Sequence, residues 1–301
     1  MWPMRRKPTL LIVGCGDVGL RVLRELRHRG SPWRVLALTS TAERRAELRA
    51  AGAVPVLGNL DDAATLGRLA GVADAVLHLA PPPRQGRSDP RTAKLLQALS
   101  RRSAPQRLVY MSTTGVYGDC QGQWVPETRA VNPQTDRAQR RVDAEQRVRR
   151  WARHSGCCST VLRVPGIYAL DRVGGDPRER VRRASPSLLP EEDGYTNHIH
   201  ADDLARIALA ALYHGLPQRA YNAGDEGQLR TGEHYDLVAD RCGLPRPPRI
   251  SWAQARAQLS PMQLSFWGES RRLVSQRLQQ ELGVRLRYPT VEQALASAEA
   301  G

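Results

Sequence analysis

The sequence predicts an α/β fold, a Rossmann-like doubly wound parallel sheet with a smaller, mostly helical C-terminal substrate domain. Three observations predict it. The apolar run Thr9-Leu10-Leu11-Ile12-Val13 ends in Gly14-x-Gly16-x-x-Gly19. Strand-like and helix-like segments then alternate through the first half, the pattern of a parallel sheet covered by helices on both faces. After a last short strand near residue 220, the chain turns mostly helical.

The first run is short and continuously apolar, as a buried strand requires. Residues 18–29 follow as a helix, with Val18, Val22, Leu23 and Leu26 on one stripe. Each glycine between them has a task. Gly14 permits the tight turn, Gly16 lets backbone approach a pyrophosphate, and Gly19 lets the helix pack closely on the strand. The helix N-terminus, at Asp17 and Val18, offers free N–H groups and a positive dipole end to phosphate.

Further strands are expected at 34–39, 54–57, 75–79, 107–111, 159–164 and 220–223. Helices are expected at 42–51, near 62–70, near 91–102, over 136–154 and over 198–213. Residues 81–90 and 172–190, rich in Arg, Gly and Pro, read as loops. The helical remainder breaks at 243–248 and 260–261.

Composition narrows the function classes. A chain of 301 residues can build one large or two small domains. No apolar run approaches the ~20 residues that span a bilayer, so a soluble protein without a membrane partner is expected. Basic residues precede the apolar stretch at 9–13, but that stretch is the first strand and no small-residue cleavage site follows it. A cytoplasmic location is therefore expected. Five cysteines without a Cys-x-x-Cys pair fit reduced thiols, not a disulfide framework, and no metal site is expected. The net charge is +15, yet all of the 45 basic residues except Lys7 and Lys94 are arginine and they spread along the chain. GC-rich coding gives that pattern. A phosphate-backbone binder would concentrate charge in a patch interleaved with aromatics, so nucleic acid is not an expected partner.

An ordered series of motifs runs down the chain: the glycine turn; Leu79-Ala80 after the fourth strand; Ser112-Thr113-Thr114-Gly115-Val116-Tyr117-Gly118; Leu162-Arg163-Val164-Pro165-Gly166-Ile167-Tyr168; Ile199-His200-Ala201-Asp202-Asp203; and Tyr221-Asn222-Ala223-Gly224. Taken in order, they resemble the extended short-chain dehydrogenase/reductase family, also called NAD-dependent epimerase/dehydratases. The resemblance implies a dinucleotide domain over 1–168 and 197–225, interleaved with a substrate domain over 169–196 and 226–301. It implies an NAD(P) cofactor, a small-molecule substrate and a homodimer as an option. It also implies that Thr113 and Tyr117 belong to the catalytic turn and that Tyr168 and His200 line the substrate side.

Two departures stand out. The glycine spacing is tighter than the family's usual Gly-x-x-Gly-x-x-Gly. The catalytic Tyr-x-x-x-Lys is missing, and counting back from Ala144-Glu145 puts Arg137 at the Tyr position and Arg141 at the Lys position. Arginine stays protonated at any working pH, so Arg137 cannot be a general acid or base. Arg141 could still hold ribose hydroxyls, and the pair could clamp a carboxylate or phosphate on the substrate. Substitute acids are Tyr117, Tyr168 and His200, although His200 also reads as a cap before Asp202. Asp143 with Arg147 and Glu145 with Arg149 read as solvated i, i+4 pairs.

The end of the second strand bears on cofactor choice. An NAD site wants Asp or Glu there to hold the ribose 2′-hydroxyl. The chain has Thr39-Ser40-Thr41, with Arg44 and Arg45 close behind. Hydroxyls plus arginine suit a 2′-phosphate, so NADP is favoured over NAD. Asn59-Leu60 holds the adenine-edge position. Two readings follow: an atypical reductase or epimerase, or a non-catalytic NADP-sensing protein on the same fold.

Overall fold

The computed structural model describes residues 7–299. The first part runs β1 (Thr9–Val13), α1 (Asp17–His28), β2 (Arg34–Thr39), α2 (Arg45–Ala50), β3 (Val54–Leu57), β4 (Ala75–His78), α3 (Pro90–Leu99) and β5 (Arg107–Thr113). A short strand, β6 (Trp124–Val125), precedes the long helix α4 (Asp136–Ser155), β7 (Cys158–Val164) and β8 (Gly166–Tyr168). Then come α5 (Pro177–Arg182), β9 (Ser187–Leu188), β10 (His198–His200), α6 (Ala201–His214) and β11 (Arg219–Asn222). The C-terminal part holds α7 (Thr231–Arg241), β12 (Arg249–Ile250), α8 (Trp252–Gln258), α9 (Pro261–Trp267), β13 (Arg272–Leu273), α10 (Gln276–Gln280) and α11 (Val291–Glu299). No helix among the described residues is long and apolar enough to cross a membrane.

Seven strands form one parallel sheet in the order β11-β7-β5-β4-β1-β2-β3. Side chains of a strand alternate between faces, and β1 shows what that achieves. Leu10 and Ile12 pack with Val22 and Leu26 of α1 and with Leu204, Ala208 and Leu212 of α6. Leu11 and Val13 pack with Leu95 and Leu99 of α3 and with Ala144 and Val148 of α4. The strand is therefore buried on both sides, which is why it reads as a continuous apolar run. The chain leaves β1 toward β2 and β3, then returns to β4 on the other side. The strand order reverses at β1, and in open parallel sheets such a reversal is where a ligand crevice lies beyond the C-terminal strand ends.

The structure corrects several expectations. Residues 63–69 form a 3-10 helix, capped by the Asp62 carboxylate on the Ala64 N–H. Residues 172–190 are not wholly loop. The Asp176 carboxylate accepts the Arg178 N–H and starts α5, with Pro177 in its first turn, and Ser187–Leu188 pairs with β12. The segment from His198 begins as a strand beside β8, and the helix starts only at Ala201. The cause is His200, whose Nδ1 accepts from the Asp202 N–H and makes it an N-cap. β6 and β13, far apart in sequence, form a further parallel pair. Glu145 is no solvated partner. It is buried, accepts Ser112 Oγ at 2.6 Å and pairs with Arg163 at 2.9 Å, while Arg149 stays 3.9 Å away.

That buried pair joins α4 to β5 and β7, and the network extends further. Arg163 Nη1 donates to the Tyr117 hydroxyl at 2.9 Å, and that hydroxyl donates to Asn222 Oδ1 at 2.7 Å. The Asn222 N–H meets Glu127, whose carboxylate lies 3.6 Å from Arg277. Removing one member of a buried pair strands a charge in low dielectric, a loss of about 3–5 kcal/mol. Glu145→Ala should lower stability by that order in urea denaturation. Asp240→Ala, which removes an exposed pair with Arg246, should leave the midpoint unchanged.

A second buried acid follows β11. Asp225 donates its N–H to His198 O and accepts the Gly227 N–H, yet burial pushes its carboxyl up to about 8. An unfolded Asp ionises near 3.8. Between these values the folded chain holds a proton that the unfolded chain has released, so this group's contribution to stability is lost as pH rises from about 4 to about 8. Asp225→Asn should remove that loss, read as the urea midpoint measured across the same pH range.

Candidate functional site

The glycine turn sits at the C-terminal end of β1, at the strand-order reversal. Gly14 has φ +86°, and a Cβ there would meet the Ala80 backbone at 2.5 Å. Two strand ends thus approach backbone to backbone, and only glycine fits. A Cβ on Gly19 would meet Cys15 Sγ at 3.0 Å and Ile12 at 3.5 Å, the close helix–strand packing expected of it. Gly16 is exposed, and a Cβ on it would meet nothing within 4 Å. It is the N-cap of α1 and offers no side chain to the helix's first N–H groups. Open space in front of uncapped donors is what a pyrophosphate needs.

Asp17, the first residue of α1, brings a carboxylate to this edge. It is neutralised from two sides, by Arg21 at 3.2 Å and by Arg172 from the loop after β8. Arg21 is buried and also pairs with Asp171 and Asp202, at 2.5 and 2.6 Å. These ion pairs clasp the 169–176 loop and the start of α6 onto the glycine helix. Val18 is buried against the core.

The other cofactor-side residues gather around the same edge. Thr39 is buried, and its hydroxyl is spent on the Thr41 backbone, whereas Ser40 is exposed. Arg44 lies near enough to Cys15 to pull that thiol down, although burial dominates and pushes it up to about 11. Arg44 is itself paired with the exposed Glu47, whose charge pushes the same thiol up. Asn59 is exposed and holds the turn after β3 by accepting the Asp61 N–H, and Leu60 is buried behind it. Leu79 donates its N–H to Val13 O, and Ala80 backs Gly14.

Across the crevice, Thr113 ends β5 and its Oγ accepts the Gly115 N–H. Arg141 donates to Met111 O at 2.8 Å and to the Tyr110 hydroxyl at 3.1 Å, which ties it to the same strand. Arg137, one turn earlier on α4, is half-buried and stacks on the Phe266 ring at 3.9 Å. Burial pushes its guanidinium pKa down, and Glu269 opposes that shift. Thr113, Arg137 and Arg141 are thus brought to one side of the crevice. Tyr117 is placed differently. It is buried, with its hydroxyl bonded to Asn222 and Arg163, and burial pushes its pKa up. Tyr168 and His200 are buried in an aromatic cluster, their rings 5.3 Å apart and edge-on, with the Tyr288 ring tilted against His200 at 3.9 Å. Burial raises the Tyr168 phenol and lowers the His200 imidazole, so both are neutral near pH 7.

Sequence reasoning missed Phe266, Glu269 and Arg271. They enter from the C-terminal part, where the sequence shows helical segments and no motif. The one available signal was Gly268-Glu269-Ser270-Arg271-Arg272, a charged run directly after an aromatic helix.

The family model for the NAD dependent epimerase/dehydratase family matches residues 10–224. No curated protein matches the chain. Among solved structures, a functionally unknown conserved protein from Silicibacter pomeroyi aligns over 97% of this chain and 98% of its own, at 29% identity and a TM-score of 0.80. A UDP-glucose 4-epimerase from Thermotoga maritima, solved with UDP-glucose, aligns over 95% and 96%, at 18% identity and a TM-score of 0.77. A dTDP-glucose 4,6-dehydratase variant from Streptomyces venezuelae, solved with NAD, aligns over 96% of both chains, at 20% identity and a TM-score of 0.73. At the identities of these last two the likeness is one of fold. The family match, by contrast, runs from the glycine turn through the Thr113 turn to the strand that rejoins the sheet at Asn222, and the chain belongs to the NAD dependent epimerase/dehydratase family.

Proposed function

We propose that the chain binds a nicotinamide dinucleotide across the glycine turn, NADP(H) in preference to NAD(H), and acts as a reductase or epimerase. Its substrate is a small hydroxylated molecule carrying a phosphate or carboxylate. The observation that carries the cofactor reading is the open space at Gly16 in front of the uncapped start of α1. Arg44 beside the glycine turn and the exposed Ser40 support the 2′-phosphate, with no acidic residue at the end of β2 to repel it. Residues 1–168 and 197–225 form the dinucleotide unit, and 169–196 with 226–301 the substrate unit.

A bound nicotinamide would supply the hydride exchange. The chain's own residues do the rest. Arg141, anchored on Met111 O, holds ribose hydroxyls. Thr113 hydrogen-bonds the reacting oxygen of the substrate. Arg137 faces no carboxylate within ion-pair distance among the described residues, and it pairs with the substrate's anionic group. Tyr117 supports the turn from behind, through Arg163 and Asn222. Tyr168 and His200 support the substrate loop from beneath.

The second reading is a non-catalytic NADP sensor. One observation favours it: arginines occupy both dyad positions, and Tyr117 is locked by hydrogen bonds. The two readings separate on turnover once binding is established.

Calorimetry should show NADP+ binding more tightly than NAD+. A charge-assisted contact contributes about 1.5–3 kcal/mol, so Arg44→Ala should weaken NADP+ roughly ten- to a hundred-fold. NAD+ affinity should stay as it was. Equal affinities in the wild type would rule out the 2′-phosphate assignment. Gly16→Val should abolish binding of both, because a branched side chain fills the pyrophosphate's space.

A further inference from the structure

The site has lost its tyrosine, and the structure brings a different ionisable group to the same place. Glu269 is 8% exposed. Its Oε2 accepts from Arg271 Nη2 at 2.8 Å, and Arg271 Nη1 in turn donates to Gly118 O at 2.7 Å. Its other oxygen, Oε1, is buried with no hydrogen-bond partner. A buried carboxylate oxygen without a partner is costly, and structures keep one where a ligand completes it. Arg271 Nε, in the same ion pair, is buried and unpartnered as well.

Position makes this more than a loose ion pair. A Cβ on Gly115 would lie 3.7 Å from Thr113 Oγ1 and 3.8 Å from Glu269 Oε2. The threonine hydroxyl and the glutamate therefore flank one small space, which the missing glycine side chain leaves open. Glu269 also acts on Arg137, the residue in the tyrosine position. The charged and titratable groups that face the carboxylate are Arg271 on its own segment, Arg137 on α4 and Cys120 on the turn after Tyr117.

The segment that carries Glu269 is firmly held. The Ser270 N–H donates to Asp119 at 2.9 Å, and Ser270 O accepts the N–H groups of Cys120 and Gly122, each at 3.0 Å. Arg272 then enters β13 beside β6. The carboxylate is set against the Thr113–Gly118 turn by backbone bonds, as a group that must meet a substrate atom requires.

We infer that Glu269 is the general acid/base of this site, and that its carboxylate, through the Oε2 side that faces Thr113, exchanges the proton of the substrate hydroxyl held by Thr113. The inference rests on the reductase or epimerase reading above. In the oxidative direction the substrate O–H proton passes to the Glu269 carboxylate. The carbinol hydrogen leaves with its electron pair to an oxidised nicotinamide, the co-reactant. The products are a carbonyl, a reduced nicotinamide and a protonated Glu269. The reverse direction returns both hydrogens. Arg271 fixes the carboxylate through Oε2, and Arg137 holds the substrate's anionic group next to the transfer.

The test uses the full chain saturated with NADP+ and given UDP-glucose or UDP-glucuronate, with single-turnover formation of reduced nicotinamide as the readout. Glu269→Gln keeps shape and the contact to Arg271 and removes only the proton acceptor. It should slow turnover by ~10²–10⁴-fold. Calorimetric NADP+ affinity should match wild type, and the acid limb of the pH–rate profile should vanish. Glu269→Ala should be rescued by added formate, which a structural role would not allow. Glu269→Gln turning over like wild type, or Glu269→Ala without rescue while still folded, would overturn the inference. A wild type that binds NADP+ but turns over neither sugar also overturns it and leaves the sensor reading standing. A wild type that binds no cofactor overturns the underlying reading of the site.

Discussion

The ion pair between Glu145 and Arg163 is the contact on which the rest of the site depends. Both side chains are about 5% exposed, and both are fully engaged. Glu145 reaches from α4 to Ser112 at the end of β5, and Arg163 reaches from β7 to Tyr117 on the turn that follows β5. One buried pair thus sets the rotation of a twenty-residue helix and the position of the turn beside it. Two desolvated charges hold their geometry because every alternative leaves one of them bare.

Once α4 is set, Arg141 and Arg137 lie one and two turns closer to its N-terminus. The helix begins there with a Thr135 cap on the Ala138 N–H. Arg141 is drawn inward by the Met111 carbonyl, whereas Arg137 lies under Phe266. Two arginines on this helix face offer charge pairing and no proton exchange near neutral pH.

The C-terminal part adds further joints. After β11 joins the sheet, β12 meets β9 and β13 meets β6. Each pairing is only two residues long, and the second holds the Glu269 segment against the turn after β5. The 169–176 loop is held from below by the buried Arg21 and its three carboxylates. The crevice is therefore walled by segments distant in sequence, with arginine–carboxylate pairs as the main joints.

Much of this was legible in the sequence. The buried strand, glycine turn and amphipathic helix are local features, governed by backbone conformation and by burial on one stripe, and residues 9–28 carry them whole. The same holds for the alternation that gives a parallel sheet. What lay outside local rules was left to tertiary structure. Glu145 and Arg149 have the spacing of a surface pair, yet Arg163, on a neighbouring strand, takes the carboxylate because burial makes the closer and better-bonded partner win. Tyr117 sits in a motif that suggests chemistry, but the pocket behind it supplies two hydrogen bonds that fix its hydroxyl. Glu269 follows an unremarkable helix, and only the pairing of β13 with β6 brings it to Thr113. By itself the sequence determined the fold and the cofactor-facing turn, because these depend on near neighbours in the chain. Tertiary structure alone decided which polar groups stay free inside the site, because hydrogen-bond satisfaction depends on what folds against each group.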